Sequence, residues 1–230
     1  MSRIVVVTGG TRGIGAAIAA RFAAAGDTVH APGRADCDVT DEAAVMAYFS
    51  LLGRVDVLVN NAGISASAPL SKTTLDDWHA QLAVNATGAF LCTRTVLPGM
   101  RERGTGRIVT VASTASHVGY RYTSGYTASK HAAAGLMRAV AAEVAGTGVT
   151  ANAVCPAFVR TDMTAASVAR IREKTGRDES AAEAALAAAS PLGRLLEPEE
   201  VAFAVGFLAA AEAGAINGQT LVLDGGGIQL

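Results

Sequence analysis

The feature that most constrains the fold is an alternation. Short, wholly apolar runs bounded by glycine, asparagine or serine recur along the chain, and longer stretches of helical period separate them. Strands buried on both faces read as continuous apolar runs, so the pattern specifies a parallel sheet covered by helices on both sides. Strands are predicted at 3–8 (RIVVVT), about 28–31, Val55–Val59, Arg107–Ala112, Val149–Val154 and Gln219–Leu223. Helices are predicted from Gly13 to Ala25, stopping at Gly26, and from Asp41 to Leu52. Others run from Thr74 to about Arg103, with Pro98 and Gly99 loosening the end, over about 126–145, and from Pro198 to about Ala211. Residues 163–189, Ala-rich and charged, are predicted to form one or two helices within an insertion at about 160–195. There is no internal repeat and no linker, so 1–230 reads as a single α/β domain.

Charge and composition remove several function classes. Lys plus Arg is 19 against 20 for Asp plus Glu, a net charge of −1, which supplies no basic face for nucleic acid. Apolar residues make up 50% and charged residues 17%, which excludes disorder. No apolar run approaches the ~20 residues needed to span a bilayer, so no membrane association is expected. The three cysteines (Cys37, Cys92, Cys155) are odd in number and contain no CxxC pair, which predicts no disulfide framework and no metal site. A reducing, cytoplasmic location follows as an expectation.

Two loops fall where ligands bind such sheets, at the carboxyl ends of parallel strands. Thr8-Gly9-Gly10-Thr11-Arg12-Gly13-Ile14-Gly15 joins the first strand to the first helix. A dinucleotide pyrophosphate must approach backbone N–H groups at a helix N-terminus, where the dipole is positive and no Cβ intrudes. Asn60-Asn61-Ala62-Gly63 follows the third strand. Each loop alone is also compatible with an ordinary turn.

Tyr126 and Lys130 lie four apart on a predicted helix, hence on one face. A tyrosine ionises near pH 10, so acid–base work at neutral pH needs that lowered by about three pH units, roughly 4 kcal/mol. An ammonium ~5 Å away at an effective dielectric of ~20 supplies about 3 kcal/mol, and an oxidised nicotinamide would add the rest. Ser113 closes the strand Arg107–Ala112 and is placed to meet a carbonyl oxygen as charge develops. Asn85 lies inside a helical stretch, where asparagine is mildly unfavourable: it reads as a buried amide, a kink, or the holder of a water.

Taken together, TGGTRGIG, the NNAG loop, VNATGAF around Asn85, Ser113 thirteen residues before Tyr126, YTASK, Asn152-Ala153-Val154-Cys155-Pro156 and the tail from Asn217 to Gly226 resemble the short-chain dehydrogenase/reductases over nearly the whole chain. The resemblance implies a doubly wound, Rossmann-type sheet of six to seven strands. It implies an NAD(P)-dependent oxidoreductase in which Tyr126 exchanges a proton with the substrate oxygen. Lys130 would lower the phenol's pKa and hold the nicotinamide ribose, Ser113 would orient the carbonyl, and Asn85 would hold a relaying water. Gly9, Thr11, Arg12, Gly13, Ile14, Gly15, Arg34, Asp38, Val39, Asn61, Ala62, Gly63, Pro156, Val159 and Thr161 would join Tyr126 and Lys130 around the cofactor. The alternative is a catalytically silent dinucleotide-binding regulatory protein of the same fold.

The chain departs from that pattern in two places. Only Pro32-Gly33-Arg34-Ala35-Asp36-Cys37 separates the second strand from Asp38, too few residues for a helical crossover, so that helix is predicted missing and a strand at Cys37–Val39 short or irregular. Ala157 stands where the family commonly has glycine. Pro32 occupies the usual carboxylate position of an NAD site, with Arg34 and Arg12 nearby, which predicts NADP(H) over NAD(H) unless Asp36 or Asp38 swings into the ribose position. The insertion falls where the family carries a substrate lid. Its Arg170, Arg172, Lys174 and Arg177 would face water or meet a carboxylate or coenzyme A phosphates, and His117, Tyr120 and Tyr122 are candidate pocket walls. The broad likeness to 3-oxoacyl and 3-hydroxyacyl reductases and hydroxybutyrate dehydrogenases implies a small carbonyl or alcohol substrate. Fold analogy implies a homodimer or homotetramer.

Overall fold

A computed structural model describes residues 2–229. Its strands are β1 (Ile4–Val7), β2 (Thr28–His30), β3 (Val57–Asn60), β4 (Gly106–Val111), β5 (Val149–Pro156) and β6 (Thr220–Leu223). They form one parallel sheet in the order β2-β1-β3-β4-β5-β6. The long helices are α1 (Gly13–Ala24), α2 (Glu42–Leu52), α3 (Leu75–Leu82), α4 (Gly88–Glu102), α5 (Ser124–Glu143), α6 (Asp162–Thr175), α7 (Glu179–Ala187) and α8 (Pro198–Leu208). Successive strand side chains point to opposite faces, and β1 shows the result. Val5 and Val7 enter a cluster with Ile18 of α1 and Val205 of α8, while Val6 enters the other with Leu91 of α4 and Met137 of α5. Burial of each such branched side chain contributes about 1.5–3 kcal/mol, so a polar replacement in β1 would break a layer on one side or the other.

The helix ends follow local chemistry. Asp41 caps α2 by accepting from the N–H groups of Ala43 and Ala44, and Thr74 caps α3 by accepting from that of Asp77. Gly26, just past α1, takes a φ of +86°, which a side chain would oppose. The predicted helix over 74–103 is one continuous path with a five-residue π turn, Ala83–Thr87, at its middle. Pro98 does not end it: α4 continues to Glu102. The insertion forms two helices, α6 and α7.

No helix forms at 32–37, as predicted, and among the described residues no strand forms at 37–39. Instead the chain folds inward. Cys37 and Val39 are 4% and 7% exposed within the core. Val39 lies so close to Gly88 that a Cβ there would come within 2.7 Å of its Cγ2, which makes glycine necessary at the start of α4. Burial of two apolar side chains replaces strand pairing, and β2, three residues long, becomes the sheet edge.

Candidate active site

The carboxyl ends of β1, β3, β4 and β5 open on one side of the sheet, and the candidate residues converge there. At the glycine turn, a Cβ on Gly15 would fall 2.4 Å from the Gly9 carbonyl oxygen and 2.5 Å from Asn61 Nδ2, and one on Gly9 would fall 2.9 Å from Ala62 Cα. The Asn61 amide donates to the carbonyls of Thr8 and Gly9, and Thr8 Oγ1 accepts from the N–H groups of Asn61 and Ala62, all within 3.0–3.2 Å. The two glycine-bearing loops are thus bolted together. Arg12, the N-cap of α1, has no side-chain cap, so the first-turn N–H groups are not spent on one. A floor without Cβ atoms under a helix N-terminus fits the pyrophosphate of a dinucleotide. Ile14 packs partly buried against the core, and the position of a Gly13 Cβ lies 3.3 Å from Thr161 Cγ2. Thr161 caps α6, Val159 bridges to Leu196, and Pro156 ends β5.

Across the cleft, Ser113 leaves β4 in extended geometry and caps a short 3-10 turn, accepting from the Ala115 N–H at 3.1 Å. Tyr126 and Lys130 descend from the first turns of α5, with Lys130 Nζ 5.7 Å from the Tyr126 ring centre. Lys130 is buried and donates to the Val111 carbonyl at 2.9 Å. Gly63 brings the third loop onto this pair: a Cβ there would sit 3.3 Å from Asn85 Oδ1 and 3.6 Å from Lys130 Nζ. Asn85, in the π turn, accepts from the Ile64 N–H and donates to the Ile64 carbonyl and to Ser129 Oγ, each at 2.9 Å. A π turn carries extra residues through a helix and occurs often at functional sites. Here it lets a buried amide satisfy three partners.

The electrostatics correct one expectation. Burial pushes the Tyr126 phenol above its ordinary range; the Ser113 hydroxyl opposes that shift, and Tyr120 and Cys155 add to it. Burial also lowers Lys130 to about 8. The lysine was expected to acidify the tyrosine, but in the protein alone desolvation is the largest influence on the phenol, and the lysine head is directed at Val111.

The two arginines expected near the cofactor's adenosine are engaged with carboxylates. Arg34 Nε meets Asp38 at 3.0 Å and Arg12 meets Asp162 at 3.3 Å, both at the surface. Asp36 folds back to accept from the Gly33 N–H at 2.9 Å, and a Gly33 Cβ would lie 3.1 Å from Thr11 Cγ2. Val39 is core rather than exposed to the cleft. Of the candidate pocket walls, Tyr120 donates to Thr114 Oγ1 at 2.9 Å, Tyr122 is exposed with a φ of +68°, and His117 is half-buried. Thr8, Ile64 and Ser129 were not singled out in the sequence. Thr8 and Ser129 sit inside the recognised motifs, but their bonding depends on the packed geometry.

Residues 27–227 match the family model described as enoyl-(acyl carrier protein) reductase. The acetoacetyl-CoA reductase of Shinella zoogloeoides is 40% identical over 247 residues, covering 98% of each chain. The 3-oxoacyl-(acyl-carrier-protein) reductase MabA of Mycobacterium tuberculosis is 38% identical over 98% of this chain and 93% of its own. A variant of actinorhodin polyketide ketoreductase, solved with NADPH, matches with a TM-score of 0.89 at 34% identity, covering 98% of this chain and 97% of its own. Fold, glycine cradle and whole-length likeness agree: the chain belongs to the short-chain dehydrogenase/reductase family of NAD(P)-dependent oxidoreductases.

Proposed function

We propose that this oxidoreductase, which interconverts a ketone and a secondary alcohol, acts on a 3-oxoacyl group or a similar carbonyl, with Tyr126 as general acid and base. The observation that carries the reading is the convergence of Ser113, Tyr126, Lys130 and Asn85 beside the cradle. A phenol held above its ordinary pKa by burial stays protonated and so is ready to donate to a substrate oxygen. Ser113, whose hydroxyl acts on the phenol, would share that oxygen and fix the carbonyl's orientation. Lys130 carries positive charge close to the phenol and borders Gly63, where the nicotinamide ribose would lie. Asn85 holds the loop through Ile64 and reaches Ser129 on α5, next to Lys130; its proposed role is to keep a proton-relaying water in place. When bound, the nicotinamide supplies or accepts the hydride. The residues of the cradle, with Pro156, Val159 and Thr161, would hold it.

We further assign NADP(H) as the preferred cofactor. Arg12 and Arg34 are the cations at the adenosine end, their surface pairs with Asp162 and Asp38 are worth about 0–1 kcal/mol, and a 2′-phosphate can displace such partners. A Beutenbergia cavernae structure described as an NAD(P)-dependent gluconate 5-dehydrogenase, 40% identical, holds NADP at low occupancy. Asp36 is the opposing feature. The helices at 160–195 act as substrate lid. Phe203 and Phe207, 61% and 48% exposed on α8, and Phe90, 41% exposed on α4, suit a homodimer or homotetramer. No helix among the described residues is long and apolar enough to cross a membrane, and the buried, unpaired thiols suit a cytoplasmic site.

The test is turnover of a panel of ketones and secondary alcohols, followed by nicotinamide absorbance with both cofactors. Turnover is expected, and Tyr126→Phe should lower kcat by about a thousandfold. Unchanged turnover in that variant overturns the assignment of the acid. Tight dinucleotide binding without any turnover supports the silent regulatory reading instead.

A further inference from the structure

The two faces of α6 differ. Thr161, Thr164, Val168 and Arg172 line a cavity of about 230 Å³ against α7, inside the lid itself. Met163, Ser167 and Arg170 follow the spacing of the opposite face. The cations on and around α6 are not all handled alike. Arg160 pairs with Glu183 and Glu197, Arg172 with Glu179, and Lys174 with Glu173. Arg170 has no carboxylate within ion-pair distance among the described residues. It reaches across to the loop after β3 and donates from Nη1 to Ser67 Oγ at 2.6 Å.

Ser67 stands on the rim of the active-site cleft. Three residues before it, Ile64 is bonded to Asn85 on both its N–H and its carbonyl. On either side, the Ala66 N–H donates to Gln81 Oε1 and the Ala68 N–H to the carbonyl of Tyr122, four residues before Tyr126. A hydroxyl is a weak partner for a guanidinium, which carries five donors in a fork suited to carboxylate or phosphate. The structure therefore presents a half-buried arginine, held at the mouth by one neutral contact, with its charge unmatched.

We propose that Arg170 anchors an anionic group on the carbonyl substrate and thereby sets which ketones the enzyme takes; this rests on the oxidoreductase reading above. The recognised chemistry is a terminal carboxylate or phosphate presented at the lid side of the cleft while the ketone lies against Tyr126. A 3-oxo acid supplies the first and a coenzyme A thioester the second. Ser67 holds the guanidinium in position before substrate arrives.

The experiment compares acetoacetate, acetoacetyl-CoA and the neutral ester ethyl acetoacetate with the wild-type protein, Arg170→Ala and Ser67→Ala. Alongside turnover, calorimetric binding of acetoacetate and of coenzyme A to the cofactor-loaded protein gives a readout that needs no chemistry. Arg170→Ala should raise KM for the anionic ketone at least tenfold with kcat nearly unchanged, and should weaken binding of the matching anion to the same degree. Ethyl acetoacetate should change less than threefold, and Ser67→Ala should give the same pattern at smaller size. Loss confined to acetoacetate identifies the carboxylate source, and loss confined to acetoacetyl-CoA the phosphate source. Equal losses on neutral and anionic ketones, or binding of both anions that Arg170→Ala leaves unaltered, overturn the proposal and leave the reductase reading intact. Absence of turnover with every ketone counts against the reductase reading, and the calorimetry then still decides whether Arg170 binds anions.

Discussion

The Tyr126 end of the cleft and the loop at 32–40 treat their polar groups in opposite ways. Around Tyr126 the polar groups are bonded to one another below the surface: Lys130 to Val111, Asn85 to Ile64 and Ser129, Ser116 Oγ to the Lys130 carbonyl. In the shortened loop the charges face water, with Arg34 side-chain exposure at 87% and Asp38 at 30%. Buried networks are costly to disturb and rigid, whereas surface pairs exchange partners at almost no cost. The proposed chemistry is therefore fixed by packing, and the proposed choice of cofactor rests on a few solvated side chains that can be altered without unfolding the protein.

Substitutions can break this contrast. The largest effect is expected from Lys130→Met, which should reduce kcat/KM at least a hundredfold on any ketone the wild type accepts, read by nicotinamide absorbance. Asn85→Ala comes next. It strands the Ile64 N–H and carbonyl, and urea denaturation should show a loss of about 2 kcal/mol. Arg34→Ala should lower the NADPH-to-NADH ratio of kcat/KM about tenfold, or roughly 1.4 kcal/mol, while changing stability by less than about 0.5 kcal/mol. An unchanged ratio would move the 2′-phosphate contact elsewhere.

The smallest effect sharpens the buried side of the comparison. Unfolded, Lys130 keeps its proton to about pH 10; folded, it releases it near 8. Between these values the unfolded chain binds more protons, so stability rises with pH, by at most about 1.4 kcal/mol per pH unit. Above about pH 9 the unfolded thiols ionise, whereas burial holds Cys92 to about 12 and Cys155 to about 11, so stability then falls. Tm should peak near about pH 9, and the rise from about 8 to about 9 should vanish in Lys130→Met.

Much of this was legible in the chain itself. Apolar runs located all six strands, and the spacing of Tyr126 and Lys130 placed both on one helical face. Counting residues after β2 showed that no helix could fit. What stayed hidden depends on tertiary packing. The count could not show that Cys37 and Val39 would turn into the core instead of pairing as a strand, nor could an asparagine's poor helix propensity reveal a π turn. A hydrogen bond directs Lys130 toward Val111, and desolvation gives the rise rather than fall at Tyr126; spacing encodes neither.

The shortened crossover has a last consequence at the rim of the sheet. An outermost strand is where stray chains add on, extending a sheet into aggregates. Losing its neighbour leaves β2 in that position, but three residues offer an intruder few rungs, and Pro32 just beyond has no N–H to lend. The Gly33 N–H is already taken by Asp36. The short loop after β2 thus leaves a margin too short and too well occupied to seed association.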